Sequence, residues 1–272
     1  MTSTEAVLRE TWLAARLELL QREKAATRMR DELTAARLAL PRLPVAKDYR
    51  FVTPAGEKGL ADLFDGRSQL IVYHFMLGPG WEAGCPGCSF LADHLDGTLA
   101  HLNHHDVTVT AVSRAPLPEI EAYRRRMGWQ FPWASSHGSD FNYDFHVSFT
   151  EEQRQGRVFY NFTWMDGAEV GEENPGVSCF ERDPDGSVFH TYSSYARGPE
   201  SLITTYMILD LAPKGRNEAE IMDIWGFAAP AGSKFVKAWL EEYRQALLMG
   251  PRCPGSPCGP REIPGPPWHA GA

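Results

Sequence analysis

Apolar side chains recur at spacings near three and four from the start of the chain: Leu8, Trp12, Ala15, Leu19, Ala26, Met29, Leu33, Ala36 and Leu40, with charges between them. That period predicts helix over residues 4–40, as one bent helix or as two parted at Glu23-Lys24, with Pro41 and Pro44 ending it. A helix of this length has little core of its own, so its stripe packs across the main domain or against another subunit. The period then changes to two. Tyr49-Arg-Phe-Val-Thr reads as a strand, Pro54 to Gly59 as a turn, and Leu60-Ala-Asp-Leu-Phe as one helical turn. Gln69 to Phe75 is nearly continuous in apolar residues, the pattern of a strand buried on both faces.

Beyond it, Leu91, Leu95, Leu99 and Leu102 keep a helical spacing to about His104. Val107 to Ser113 is a strand, Pro116 to Met127 a helix, and Phe131 to Ser136 a further strand. Residues 137–176 read as an irregular, aromatic excursion. Asp183-Pro-Asp-Gly186 between two alternating runs predicts a hairpin. Helices follow over Pro199–Leu211 and Ser233–Met249. The organisation expected is a helical arm over residues 1–43, an α/β domain over 44–215, a helical extension over 216–249 and a flexible Pro/Gly-rich tail over 250–272. Strands alternating with helices imply parallel pairing with right-handed crossovers.

The chain has 272 residues and a formal net charge of −8, which argues against a nucleic-acid surface. No stretch reaches the roughly 18 apolar residues of a membrane helix, and the N-terminus lacks the basic-then-apolar order of a signal peptide. The expectation is a cytoplasmic protein. Five cysteines in a chain of this length do not make a disulfide scaffold.

The chemistry sits after the buried strand. A Gly/Pro-rich turn leads to Cys85-Pro-Gly-Cys88 at a helix start. The partial positive charge there favours a thiolate at Cys85, and Cys88 lies one turn on, close enough to close a disulfide. Three uses are open: a redox dithiol, half of a metal site, or inert thiols. His74 could tune Cys85 or bind a ligand, or be a satisfied core histidine, the more common case. His101 and His105 share a face at i, i+4, and solvent exposure explains them better than a metal does. Cys179 reads as a small hydrophobe. Cys253 and Cys258 could complete a four-cysteine zinc site only from the tail. Trp129, Trp133 and Trp164 line a pocket or build core, and Arg124-Arg-Arg126 reads as a solvated helix face.

Strand, C-x-x-C at a helix start, strand, helix, hairpin and last helix resembles the thioredoxin fold. The short hairpin and Leu60 to Phe64 before the central strand resemble its peroxiredoxin-type branch. More closely, the sequence resembles the DUF899 family of thioredoxin-like proteins, predicted dithiol-disulfide oxidoreductases. The residues that carry this are Gly84-Cys-Pro-Gly-Cys-Ser with Asp93, Gly128 to Ser136, Asp140 to Asp144, and His190 to Gly198, with the helical segment ending at Leu40-Pro41.

The resemblance implies a thioredoxin-like central sheet flanked by helices, with Cys85 attacking, Cys88 resolving and thiol or disulfide partners. It implies a cis-proline facing the dithiol, for which Pro175 is the candidate, an ordinary turn proline in Asn174-Pro-Gly being the alternative, and a substrate surface that includes Trp81. Two departures stand out. Gly84 holds the place where a thioredoxin has Trp, and Glu82 the place where a peroxiredoxin has Thr, so peroxidase chemistry is not expected. No G-x-G-x-x-G pattern occurs, and no cofactor is expected. A homodimer through the arm is expected. The alternatives are a thioredoxin-fold binding module for a ligand or partner, and a metal-binding protein using Cys85, Cys88 and a nearby histidine.

Overall fold

The structure is a computed structural model and describes residues 6–216. It divides into two compact units after Arg42. The first is one unbroken helix, α1 (Arg9–Leu38). Ala, Leu, Arg and Glu dominate it, and neither Gly nor Pro occurs before Pro41, so nothing local breaks it at Glu23-Lys24. None of its residues is buried.

The second unit contains the strands. In chain order these are β1 (Leu43–Pro44), β2 (Arg50–Thr53), β3 (Gly56–Gly59), β4 (Gln69–His74), β5 (Val107–Ser113), β6 (Trp133–Ser135), β7 (Arg157–Tyr160), β8 (Thr163–Asp166), β9 (Gly176–Arg182) and β10 (Val188–Tyr195). Eight of them form one sheet in the order β1-β10-β9-β4-β5-β6-β2-β3, while β7 and β8 pair apart. β4 runs parallel to β5 and antiparallel to β9, and β9 is antiparallel to β10. With the crossover helices α2 (Pro86–Ala92) and α3 (Leu99–His104) between β4 and β5, the central βαβ is followed by the β9–β10 hairpin and a last helix. That is the thioredoxin-like arrangement. On the β5 side, β6 and the β2–β3 hairpin extend the sheet. A further helix, α4 (Leu117–Met127), links β5 to β6.

β4 is central because both its faces are apolar, and successive side chains point to opposite faces. Tyr73 and Phe75 join a cluster with Leu77, Cys88, Leu91, Ile120, Tyr123 and Trp129. Leu70 and Val72 join Phe51, Phe64, Phe141 and Phe180 on the other face. Each such buried side chain contributes roughly 1.5–3 kcal/mol.

Three predicted elements differ. The helix after the cysteines is not continuous to His104: α2 ends at Ala92, a 3₁₀ turn spans Asp96–Thr98, and α3 follows. Distant partners hold the break open. The Trp129 indole N–H donates to Asp93 at 2.8 Å, and the Phe131 N–H donates to Asp96 at 2.7 Å.

Residues 137–176 are not irregular throughout. They hold α5 (Phe141–Asp144), α6 (Glu151–Arg154) and the β7–β8 hairpin, over a third apolar cluster that includes Val147, Val158, Tyr160 and Tyr195. The predicted helix Pro199–Leu211 splits into a 3₁₀ turn, Gly198–Leu202, and α7 (Thr204–Leu209). Ile203 between them leaves helical geometry and is fully buried. The hairpin at Asp183–Gly186 forms as its sequence predicts, with Gly186 at φ +91°. The predicted helix Ser233–Met249, the tail and Cys253/Cys258 lie outside the described residues. Among those residues no helix is long and apolar enough to cross a membrane.

Candidate active site

The site begins where β4 leaves the sheet. The Phe75 N–H donates to Val112 O at 3.0 Å and the Ala115 N–H to Leu77 O at 3.0 Å, so the strand direction persists past His74. Gly78-Pro-Gly then turns the chain. The Trp81 ring covers Gly78, where a Cβ would come within 3.0 Å of the indole nitrogen. The Gly80 N–H donates to the Glu119 carboxylate at 3.0 Å, and Arg126 donates to Glu82 O at 3.4 Å, tying the turn to α4. The Cys85 N–H donates to Met76 O at 3.0 Å and brings the end of the turn back against β4.

Gly84 is buried, and a Cβ there would run into the rings of Phe75 and Tyr123, the latter at 2.8 Å. This close approach gives a packing reason for Gly in the place where a thioredoxin has Trp. Cys85 is the residue before the first turn of α2, with Pro86 at its first position, where a missing N–H costs nothing. The Cys85 carbonyl accepts from both the N–H and the hydroxyl of Ser89, each at 2.9 Å. The Ser89 hydroxyl also meets the Tyr123 hydroxyl at 2.8 Å.

The two thiols differ in environment. Cys85 is half-buried and Cys88 is 3% exposed. The Cys85 sulfur accepts from the Cys88 thiol and from the backbone N–H groups of Cys88 and Gly87, and these donors lower its pKa to about 7 against the opposing effect of burial. Burial, then the hydrogen bond and charge of Cys85, push the Cys88 thiol well above its ordinary value. No disulfide joins them; both are free thiols. Together they make one activated thiolate with a protonated thiol beside it, an arrangement suited to two-step disulfide exchange.

The other candidates separate. Trp81 packs against the same apolar cluster as Cys85. His74 does not face the dithiol. It lies on the opposite face of the sheet, packed against Phe141 and Phe145, with Nε2 2.8 Å from the Ser178 hydroxyl. It is Tyr73, its neighbour, that turns toward Cys88. Burial drives the His74 pKa down to about 3, so its ring is neutral.

Pro175 immediately precedes β9, whose first residue pairs with His74, so it stands at the same end of the sheet as the cysteine turn. Its peptide bond is trans: no cis bond occurs among the described residues. Trans is the lower-energy state of an X–Pro bond. The segment is fixed in it, with the Asn174 N–H donating to Val147 O at 2.7 Å and the Tyr160 hydroxyl donating to Pro175 O at 2.9 Å.

Cys179 is half-buried opposite Ile71, and burial pushes its thiol up to about 11, which leaves it unreactive near neutral pH. His101 and His105 are exposed, and no group of three His, Cys, Asp or Glu side chains able to hold a metal occurs among the described residues. Trp129 and Trp133 are core, while Trp164 is exposed. Arg124 and Arg125 pair with Glu121, but Arg126 lies 4.5 Å over the Tyr123 ring and is no part of a solvated face. An ion pair between residues 59 apart in the chain fixes residues 137–176. Arg114, just past β5, holds buried Glu173 at 2.5 Å, and the Ser148 hydroxyl donates to the same carboxylate at 2.8 Å.

No curated protein matches the sequence. Among solved structures the chain is similar to a Xylella fastidiosa PrxQ mutant at 14% identity, over 62% of this chain and 98% of that one, with a TM-score of 0.37. It is similar to the bacterioferritin comigratory protein of Xanthomonas campestris at 14% identity, over 62% and 96% of the two chains, with a TM-score of 0.40. A Chlorobium tepidum protein proposed to be the thiol:disulfide interchange protein DsbE is 13% identical over 62% and 95%, with a TM-score of 0.38. The model of a family described as "Bacterial protein of unknown function (DUF899)" matches residues 1–239, and the chain belongs to that family.

Proposed function

We propose that the chain is a dithiol–disulfide oxidoreductase. The observation that carries this reading is the asymmetry of the pair: Cys85, half-buried, has its sulfur held by three donors, one of them the thiol of buried Cys88. The Cys85 thiolate attacks one sulfur of a substrate disulfide, forming a mixed disulfide and releasing the first substrate thiolate. Cys88 then loses its proton to the departing thiolate and attacks the Cys85 sulfur. The Cys85–Cys88 disulfide forms, the second substrate thiolate leaves, and two electrons have passed to the substrate. A thiol partner restores the dithiol by the reverse exchange, in a reducing, cytoplasmic setting.

The test is reduction of insulin or a small disulfide, run beside peroxide consumption, with wild type, Cys85→Ser and Cys88→Ser. Wild type reduces disulfides. Cys88→Ser accumulates mixed disulfides through Cys85, and Cys85→Ser does neither. Peroxide turnover is slow, since Glu82 stands where a peroxidase of this fold has Thr. Fast peroxide turnover in Cys88→Ser would point instead to one-cysteine peroxidase chemistry. Absence of all thiol activity would favour a ligand- or partner-binding module, and metal in the purified reduced protein would favour a metal site.

We also infer a homodimer through the arm. α1 buries none of its residues and leaves Trp12, Leu13, Leu17, Leu33 and Leu38 exposed. A lone helix gains too little from its own hydrogen bonds to hold together in water. Sedimentation of the full chain should give a dimer, and a chain starting at Pro44 a monomer. A monomeric full chain would contradict this.

A further inference from the structure

The second step of the exchange sets a problem that the cysteines alone do not solve. Cys88 must become an anion while buried in the apolar cluster of Phe75, Leu77, Leu91 and Val177. Placing a charge in such surroundings is costly unless donors face it. At that moment Cys85 offers no help, because its sulfur is bonded to the substrate. Two donors remain at the Cys88 sulfur: the Met76 backbone N–H and the hydroxyl of Tyr73.

Tyr73 is placed for this by the sheet. It is 3% exposed and faces the dithiol from β4, flanked by Ala111 of β5 and Val177 of β9. Its ring packs edge-on against Phe75 at 5.9 Å, and its hydroxyl lies 3.5 Å from the Cys88 carbonyl as well as within hydrogen-bond reach of the sulfur. A hydroxyl rotates freely between two such acceptors. At 3.5 Å the carbonyl contact is at the long limit of a hydrogen bond, so moving the proton to a sulfur anion gains a charged acceptor and gives up little.

We propose that Tyr73 is a catalytic residue of the resolving step, donating a hydrogen bond to the Cys88 sulfur and stabilising the thiolate that attacks the mixed disulfide. Tyr73 keeps its own proton throughout, since burial holds its hydroxyl well above the usual tyrosine range. It is a donor and not the base. The Cys88 proton passes to the first substrate thiolate already released, or to solvent where that thiolate is a weakly basic aromatic one, and the sulfur–sulfur exchange balances as written for the proposed function, on which this inference rests.

The experiment uses stoichiometric chromogenic aromatic disulfide with the full, reduced chain. Attack by Cys85 releases the first coloured thiolate and attack by Cys88 the second. The double variant Cys85→Ser/Cys88→Ser gives the background from the three other cysteines, and Cys88→Ser identifies the second phase by losing it. Tyr73→Phe keeps the ring and its packing. It should leave the first phase at the wild-type rate and slow the second by about tenfold or more, the effect of losing a hydrogen bond to a charged group. It should also move the pH midpoint of the second phase upward. Wild-type rates and pH profile in both phases of Tyr73→Phe would overturn the role of Tyr73 and leave the dithiol reading standing. Equal slowing of both phases would make Tyr73 a packing residue and overturn it as well. A wild type that releases no coloured thiolate above background would remove the dithiol reading, and this inference with it.

Discussion

Tyr73 and His74 are adjacent in sequence and end on opposite faces of one strand, and the two polar groups buried there have different surroundings. On the Tyr73 face the two thiols, of buried Cys88 and half-buried Cys85, meet each other, a hydroxyl and backbone donors. On the His74 face the ring meets Ser178, which meets Ser193 at 2.8 Å, which meets His190 at 2.7 Å. This second chain ties β4, β9 and β10 together under a cap of Phe141, Phe145 and Phe180, and His74 and Ser178 are essentially without exposure. Its one partly exposed member is His190, whose pKa burial lowers, and it holds no thiol. Buried polarity alone therefore does not mark a functional site. What distinguishes the dithiol face is a half-buried thiol whose pKa is lowered to about 7.

The largest expected effect separates the two faces outright. Cys85→Ser should abolish disulfide reduction while thermal stability stays close to wild type, because the change keeps the turn and its backbone bonds. A large loss of stability would mean that the thiol is part of the core, and the contrast between the faces would fail.

The second effect runs the other way, through stability alone. His74 stays neutral in the folded protein down to about pH 3, whereas in the unfolded chain it takes up a proton near its ordinary value of about 6.5. Between these values the unfolded state binds the extra proton, so the fold loses stability as pH falls, by at most about 1.4 kcal/mol per pH unit from this group. Burial depresses His190 as well, which adds to the slope. His74→Phe, packed against Phe141 and Phe145, should flatten the acid-side slope in urea titrations between about pH 6 and pH 4 and leave disulfide reduction unchanged. An unchanged slope, or a loss of reduction, would break the assignment of His74 to structure.

Much of this was legible in the chain because it is local. The alternation around β4, the Asp183–Gly186 turn and the Cys85/Cys88 spacing each depend on residues within one element, and they predict the sheet core, the hairpin and the two cysteines. Contacts made across the fold were not legible. The break after Ala92 rests on Asp93 and Asp96, whose partners lie 36 and 35 residues away. Gly84 departs from the thioredoxin motif in sequence, and the approach of Phe75 and Tyr123 supplies the reason. His74 and Tyr73 are almost equally near Cys85 along the chain, and the period of two in a strand puts Tyr73 on the dithiol side and His74 behind it. Pro175 precedes β9 at the end of the sheet where the cysteine turn lies, and its trans bond is not something that neighbouring residues disclose.

The central claim is that Cys85 is the activated thiol and Cys88 its buried partner. Alkylation of the reduced, folded protein with iodoacetamide, mapped by mass spectrometry across a pH series, tests it most directly. Cys85 should label first, with its rate rising through a midpoint near the lowered value of about 7, while Cys88 stays protected. Labelling of Cys88 before Cys85, or of neither until the protein is unfolded, would contradict the assignment.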